Sequence, residues 1–169
     1  VGDKSQLVAC KKKFGGTNDV THCSNHLDAK KIIGTQDLVI DFMLVGSKAG
    51  LSFYADHPKV TLLINTVATS LHELKSQSAT SIENLIIGFN GLPTFFDRDL
   101  WEITALDTKK AVGLMESLNQ SYALTDDRVG MVTPRVVCMI INEAYFTLQE
   151  GTATREDIDM AMKFGTNYP

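Results

Sequence analysis

The chain reads as an α/β protein: a mainly parallel sheet with helices on its faces, followed by a small all-helical part. Near-continuous apolar runs at residues 37–44 (DLVIDFML), 60–65 (VTLLIN) and 84–89 (NLIIGF) have the composition of strands buried on both faces, the usual condition of parallel strands. Short helix-forming stretches, GSKAGLSFYADHP and SLHELKSQ, lie between them, and strands alternating with helices build a parallel sheet. From Asp107 onward the pattern turns helical, so a boundary is expected near residue 105.

Taken in order, the chain opens with a helix around residues 5–13, broken by Gly15-Gly16. Residues 17–24 (TNDVTHCS) form a weaker strand candidate. The three apolar strands and their two short helices follow, and residues 100–105 (LWEITA) make a plausible last strand. TKKAVGLMESLN is helical, with a short extended piece at residues 121–124 after it. Thr133 is placed to cap a helix opening with Pro134, where a missing N–H costs nothing. That helix stops at Gly151, a residue suited to the left-handed position after a helix. Val136, Val137, Met139, Ile140, Ile141, Ala144, Tyr145, Phe146 and Leu148 make it apolar nearly all round. Such a helix packs on several sides, and a second subunit is expected to cover part of it. A last helix starts at Thr154-Arg155-Glu156-Asp157, a capping-box variant, and ends at Gly165.

Composition narrows the function classes. With 169 residues, 44% apolar and 21% charged, the chain is an ordinary globular protein, and a net charge of −4 gives no reason to expect nucleic acid or an anionic membrane. No apolar run approaches the roughly 18 residues of a membrane span, and three cysteines without framework spacing point to a reducing, cytoplasmic setting. His22, Cys23 and His26 are close in sequence but lack the second ligand pair of a zinc site, so no metal is expected. Asp41 and Glu102, both within strand-like runs, could suggest paired carboxylates, but a structural or vestigial role outweighs acid–base catalysis.

Several segments, in order, resemble the 3-hydroxyacyl-CoA dehydrogenase family. Residues 130–169 are similar to the start of that family's C-terminal helical domain, with Asn142-Glu143-Ala144 in the long helix, then Glu150-Gly151, Asp157-Ile158-Asp159 and Ala161-Met162-Lys163. Residues 36–42 resemble a strand ending in a carboxylate near the nicotinamide, and Ile64-Asn65-Thr66 resembles the Asn-Thr-Ser turn. Ile87-Gly88-Phe89 through Glu102-Ile103 resembles the segment carrying the catalytic histidine and its glutamate, with Asn90 and Glu102 at the matching spacing.

The resemblance implies a Rossmann-like domain, reduced in size, at residues 1–105 and a helical dimerisation domain at residues 106–169. It implies NAD-dependent oxidation of the 3-hydroxyl of an acyl-CoA, as in fatty acid metabolism. In the family a histidine is general base, a glutamate orients it, and a serine and an asparagine help polarise the carbonyl. Here Asn90 stands at the histidine position, Glu102 at the glutamate and Pro134 at the asparagine. Ser70, or Thr69, is the remaining hydroxyl candidate. Gly2, Asp3 and Lys4 occupy the glycine-rich turn, where Lys4 and Leu7 replace its second and third glycines, and Asn65 lies at the cofactor end. The expectation is a catalytically degenerate homodimer with a binding or structural role and only weak NAD binding. Its ligand class is an acyl-CoA or a nucleotide. The alternative is an active NAD(P)-dependent oxidoreductase of altered substrate, in which Glu102, Ser70 or Thr69 takes over proton transfer.

Overall fold

A computed structural model describes residues 1–16 and 18–166. The chain divides into two compact units, Val1–Met131 and Val132–Pro169. Unit 1 holds a five-stranded sheet in the order β1-β2-β3-β4-β5: β1 (Leu38–Asp41), β2 (Thr61–Asn65), β3 (Ile86–Phe89), β4 (Leu100–Ala105) and β5 (Ser121–Leu124). β1–β2, β2–β3 and β4–β5 are parallel, and β3–β4 is antiparallel. The apolar runs thus became adjacent strands, as buried parallel strands require.

The sheet goes further than expected. The extended piece at residues 121–124 pairs with β4, and α4 (Thr108–Ser117) buries Ala111 and Met115 in the core, so unit 1 runs to Met131. The pattern change at residue 105 marks the start of α4, a helix of the sheet domain. The weak strand expected at residues 17–24 includes Thr17, which lies outside the described residues, and residues 18–24 join no strand of the sheet. Residue 23 is tied instead through its carbonyl, which accepts from Gly2 N–H at 3.0 Å.

Packing separates into two cores. On one, Phe14 from α1 (Lys4–Phe14) packs edge-on to Phe96 and Trp101 in a cluster with Phe42 and Phe89, and Trp101 donates its indole N–H to the Phe96 carbonyl at 3.0 Å. A buried indole needs such a partner. On the other, Leu51 and Tyr54 of a short 3-10 turn and Leu71 and Leu74 of α3 (Leu71–Ser76) cover Leu62, Ile64 and Ile86.

Unit 2 consists of α5 (Thr133–Gln149) and α6 (Arg155–Gly165). α5 starts at Thr133 itself, with Val132 at the N-cap and Pro134 in the first turn, one residue earlier than Thr133 as cap would give. Its end follows the expectation: Gly151 takes φ +69°. Thr154 caps α6 by accepting from Asp157 N–H at 3.2 Å. Met139, Tyr145, Phe146, Met160 and Phe164 are all more than half exposed.

Candidate active site

The site residues expected from sequence gather at the carboxyl ends of the parallel strands, where open α/β sheets place their ligands. Asn65 ends β2, Asn90 follows β3, Glu102 stands opposite Asn90 on β4, and Gly2 begins the turn into α1. Their environments differ sharply.

Asn90 is 5% exposed. Its backbone N–H donates to the Glu102 carbonyl at 3.1 Å, and its side-chain Oδ1 accepts from Leu92 N–H at 3.3 Å. Among the described residues its Nδ2 is buried without a partner, as are the hydroxyls of Thr66 and Thr104. Gly88 lies between those two threonines: a Cβ there would come within 2.3 Å of Thr66 Oγ1 and 2.7 Å of Thr104 Cγ2. Asn65 Oδ1 accepts from Gly91 N–H at 3.1 Å, which fixes the bend after β3. The strand ends therefore carry amides and hydroxyls beside Glu102. Neither β3 nor β4 contains a histidine.

Ser70 is the N-cap of α3, its Oγ accepting from Glu73 N–H at 3.1 Å, while Thr69 Oγ1 donates to Glu73 Oε2 at 3.0 Å. Both hydroxyls are engaged in holding a helix end. Asp127 completes it by accepting from Leu71 and His72 N–H at 2.8 and 2.9 Å. In unit 2, Pro134 is buried and offers neither an amide side chain nor an N–H.

At the nucleotide end, Asp3 caps α1 in a full capping box. Its Oδ1 accepts from Gln6 N–H at 2.9 Å, and Gln6 Oε1 accepts from Asp3 N–H at 2.8 Å. A Cβ on Gly2 would lie 2.3 Å from that same Gln6 oxygen, so Gly2 serves the approach of Gln6. The hydroxyl of Ser5 and the amide of Gln6 hold the Asp3 carboxyl below its ordinary range. A helix N-terminus binds anions through free N–H groups and its dipole. Here a carboxylate of the chain itself fills that position, Lys4 lies within the helix and Leu7 stands at the third-glycine position. These residues do not fit a pyrophosphate. Replacing Asp3 by alanine is expected to lower stability by about 1 kcal/mol at neutral pH, the usual value of an N-cap. Because the folded state depresses this carboxyl, the contribution is present above its ordinary pKa of 3.8 and fades as pH falls through the depressed value. Urea unfolding of both proteins at neutral and acid pH measures the difference.

A third constellation was not read from the sequence. Asp41, at the end of β1, is 1% exposed and accepts from Tyr54 Oη at 2.6 Å, from Met43 N–H at 2.8 Å, and lies 2.8 Å from His26 Nε2. Burial and then the Asp41 charge push the Tyr54 hydroxyl far up, so it remains a donor. The signal was present: an acid inside DLVIDF is buried, and a buried charge demands partners. His22, the other histidine of the considered metal cluster, bonds the Gly2 carbonyl at 2.8 Å. Among the described residues, no group of three or more His, Cys, Asp or Glu is placed to hold a metal ion.

Comparison with known proteins places this geometry in context. Residues 130–169 match the family model described as "3-hydroxyacyl-CoA dehydrogenase, C-terminal domain". The chain is 44% identical over 62 residues to 3-hydroxyadipyl-CoA dehydrogenase of Escherichia coli K12, covering 37% of this chain and 13% of that protein. Across 99% of its length it is 24% identical to the mitochondrial hydroxyacyl-coenzyme A dehydrogenase of Sus scrofa, covering 59% of that protein. The crystal structure of (S)-3-hydroxybutyryl-CoA dehydrogenase from Ralstonia eutropha shares the fold, with a TM-score of 0.63 and 24% identity over 98% of this chain and 63% of that one. The chain thus spans less than two thirds of the length of the curated relatives it matches. The ordered motifs, the matched C-terminal block and the shared fold together make the chain similar to 3-hydroxyacyl-CoA dehydrogenases.

Proposed function

We propose that this chain is a binding or structural member of the family that has lost the dehydrogenase step. The observation that carries this reading is Asn90, a buried amide at the position matched to the catalytic histidine. An amide takes no proton near pH 7, so position 90 supplies no general base. The residues that could have substituted are occupied, since Ser70 and Thr69 hold the start of α3.

What remains suits binding. The unpartnered Asn90 Nδ2 is a donor for a carbonyl or hydroxyl oxygen of an acyl-CoA. The nucleotide end is weaker, because the Asp3 carboxylate repels phosphate and occupies the helix end. Calorimetric titration tests this division: 3-hydroxybutyryl-CoA binds more tightly than NAD, and NAD gives little heat below millimolar concentration. Micromolar NAD binding would overturn the reading and favour an active oxidoreductase of altered substrate.

Self-association belongs to the same proposal. Met139, Tyr145, Phe146 and Phe164 are exposed apolar side chains on α5 and α6, and a second copy of the chain would cover them. Light scattering is expected to give twice the monomer mass. A strict monomer at micromolar concentration would remove the dimer from the account.

A further inference from the structure

Asn90 is followed directly by Gly91. In an Asn-Gly pair the glycine nitrogen attacks the preceding side-chain amide with unusual ease, because glycine brings no Cβ to hinder its approach. Packing holds the glycine in place here. A Cβ on Gly91 would lie 2.7 Å from Asn65 Cγ and 2.9 Å from Asn65 Cβ, so Asn65 takes the space that a side chain at position 91 would need. The fold thus keeps a chemically labile pair at the end of β3.

Three hydrogen bonds enclose that pair. Asn90 N–H donates to the Glu102 carbonyl at 3.1 Å, Gly91 N–H to Asn65 Oδ1 at 3.1 Å, and Leu92 N–H to Asn90 Oδ1 at 3.3 Å. Two of them act on the reacting atoms. The Gly91 nitrogen attacks only after giving up its proton, and Asn65 Oδ1 holds that N–H. Leu92 closes an Asx turn that fixes the rotation of the Asn90 carboxamide. Asn90 is 5% exposed and Gly91 is buried, which keeps hydrolytic water out. Of the three bonds, only the one to Gly91 depends on the side chain of another residue, Asn65 at the end of β2.

We propose that Asn90-Gly91 is a deamidation site guarded by Asn65, and that its conversion closes the ligand site. In the reaction the Gly91 nitrogen loses its proton and bonds to Asn90 Cγ. The Cγ–Nδ2 bond breaks, and Nδ2 leaves as ammonia with that proton. Water then opens one of the two ring carbonyl–nitrogen bonds of the succinimide, leaving aspartate or isoaspartate at position 90. No electrons change hands, and water is the only co-reactant. The product replaces an amide donor with a carboxylate, which repels an acyl oxygen instead of binding it. This consequence rests on Asn90 Nδ2 serving as the donor to an acyl-CoA, as proposed above.

Peptide mapping by mass spectrometry of the full chain, held at mildly alkaline pH beside the free acetylated peptide Phe-Asn-Gly-Leu-Pro, reads the conversion. The unaltered chain is expected to convert on the order of 100-fold more slowly than the peptide, because attack requires local opening. Asn65→Ala is expected to speed conversion about 10-fold, the worth of one hydrogen bond. Asn65→Asp keeps an acceptor oxygen and stays near the unaltered rate. Amide exchange at Ile87 and Phe89 checks that β3 remains paired in both variants. Conversion of the unaltered chain at the peptide's rate would overturn the proposal, and that comparison needs no variant to fold. Equal rates for Asn65→Ala and the unaltered chain would overturn it too. Asn90→Asp, the product of conversion, is expected to bind 3-hydroxybutyryl-CoA about 10-fold more weakly than the unaltered chain; equal binding would overturn the closing of the site. An unaltered chain that binds no 3-hydroxybutyryl-CoA would sink the ligand reading alone, and the conversion rates would still decide whether Asn65 guards the pair.

Discussion

Replacing Asp41 by alanine is expected to destabilise unit 1 by about 3–5 kcal/mol, the range for removing one member of a buried charged set. The carboxylate gathers three donors from separate pieces of chain: His26 from α2 (His26–Ala29), Met43 after β1, and Tyr54 from the 3-10 turn. Tyr54 has 0% exposure, so its hydroxyl would be stranded without water as a substitute acceptor. Tyr54→Phe is the milder comparison, since it deletes one donor and leaves Asp41 its other two, at about 1 kcal/mol. Urea unfolding of the three proteins checks both values. A loss below about 1 kcal/mol for Asp41→Ala would mean that the three segments are held by apolar packing alone.

The second large effect is catalytic. Placing a histidine at position 90 is expected to raise the rate of 3-hydroxyacyl-CoA oxidation by about 10²–10⁴, the usual contribution of a general base. Glu102 lies opposite Asn90 on the neighbouring strand, where its backbone carbonyl accepts from Asn90 N–H. Asn90→Ala is the control: it removes the amide and supplies no base, and its rate is expected to match that of the unaltered chain. A gain in the histidine variant and none in the alanine variant would support the reading that position 90 lacks a general base.

Much of the fold was legible because burial on two faces writes itself into composition. β1, β2 and β3 fall inside the three apolar runs, and β4 covers LWEITA. β5 was harder: SYAL is four residues long and half exposed, and only its pairing with β4 reveals it as part of the sheet. The helix ends of unit 2 followed from local chemistry, since the cap at Thr154 and the stop at Gly151 depend on neighbouring residues alone.

The site was read less completely, for two physical reasons. Asp3-Lys4-Ser5-Gln6 and Ser70-Leu71-His72-Glu73 are both capping boxes in sequence, yet the resemblance drew Asp3 and Ser70 toward phosphate and substrate. The partners of Asp41 are tertiary: His26 and Tyr54 stand 15 and 13 residues away on opposite sides of it, and no periodicity connects them. Asn90 could be placed because its spacing to Glu102 is a property of one hairpin, which sequence preserves.

The most direct measurement of the central claim is NADH formation by the unaltered full chain with 3-hydroxybutyryl-CoA and millimolar NAD, run beside Asn90→His. The expected result is a rate at background for the unaltered chain and a measurable rate for the histidine variant. Turnover by the unaltered chain at the typical enzyme rate of about 10 s⁻¹ would contradict the account.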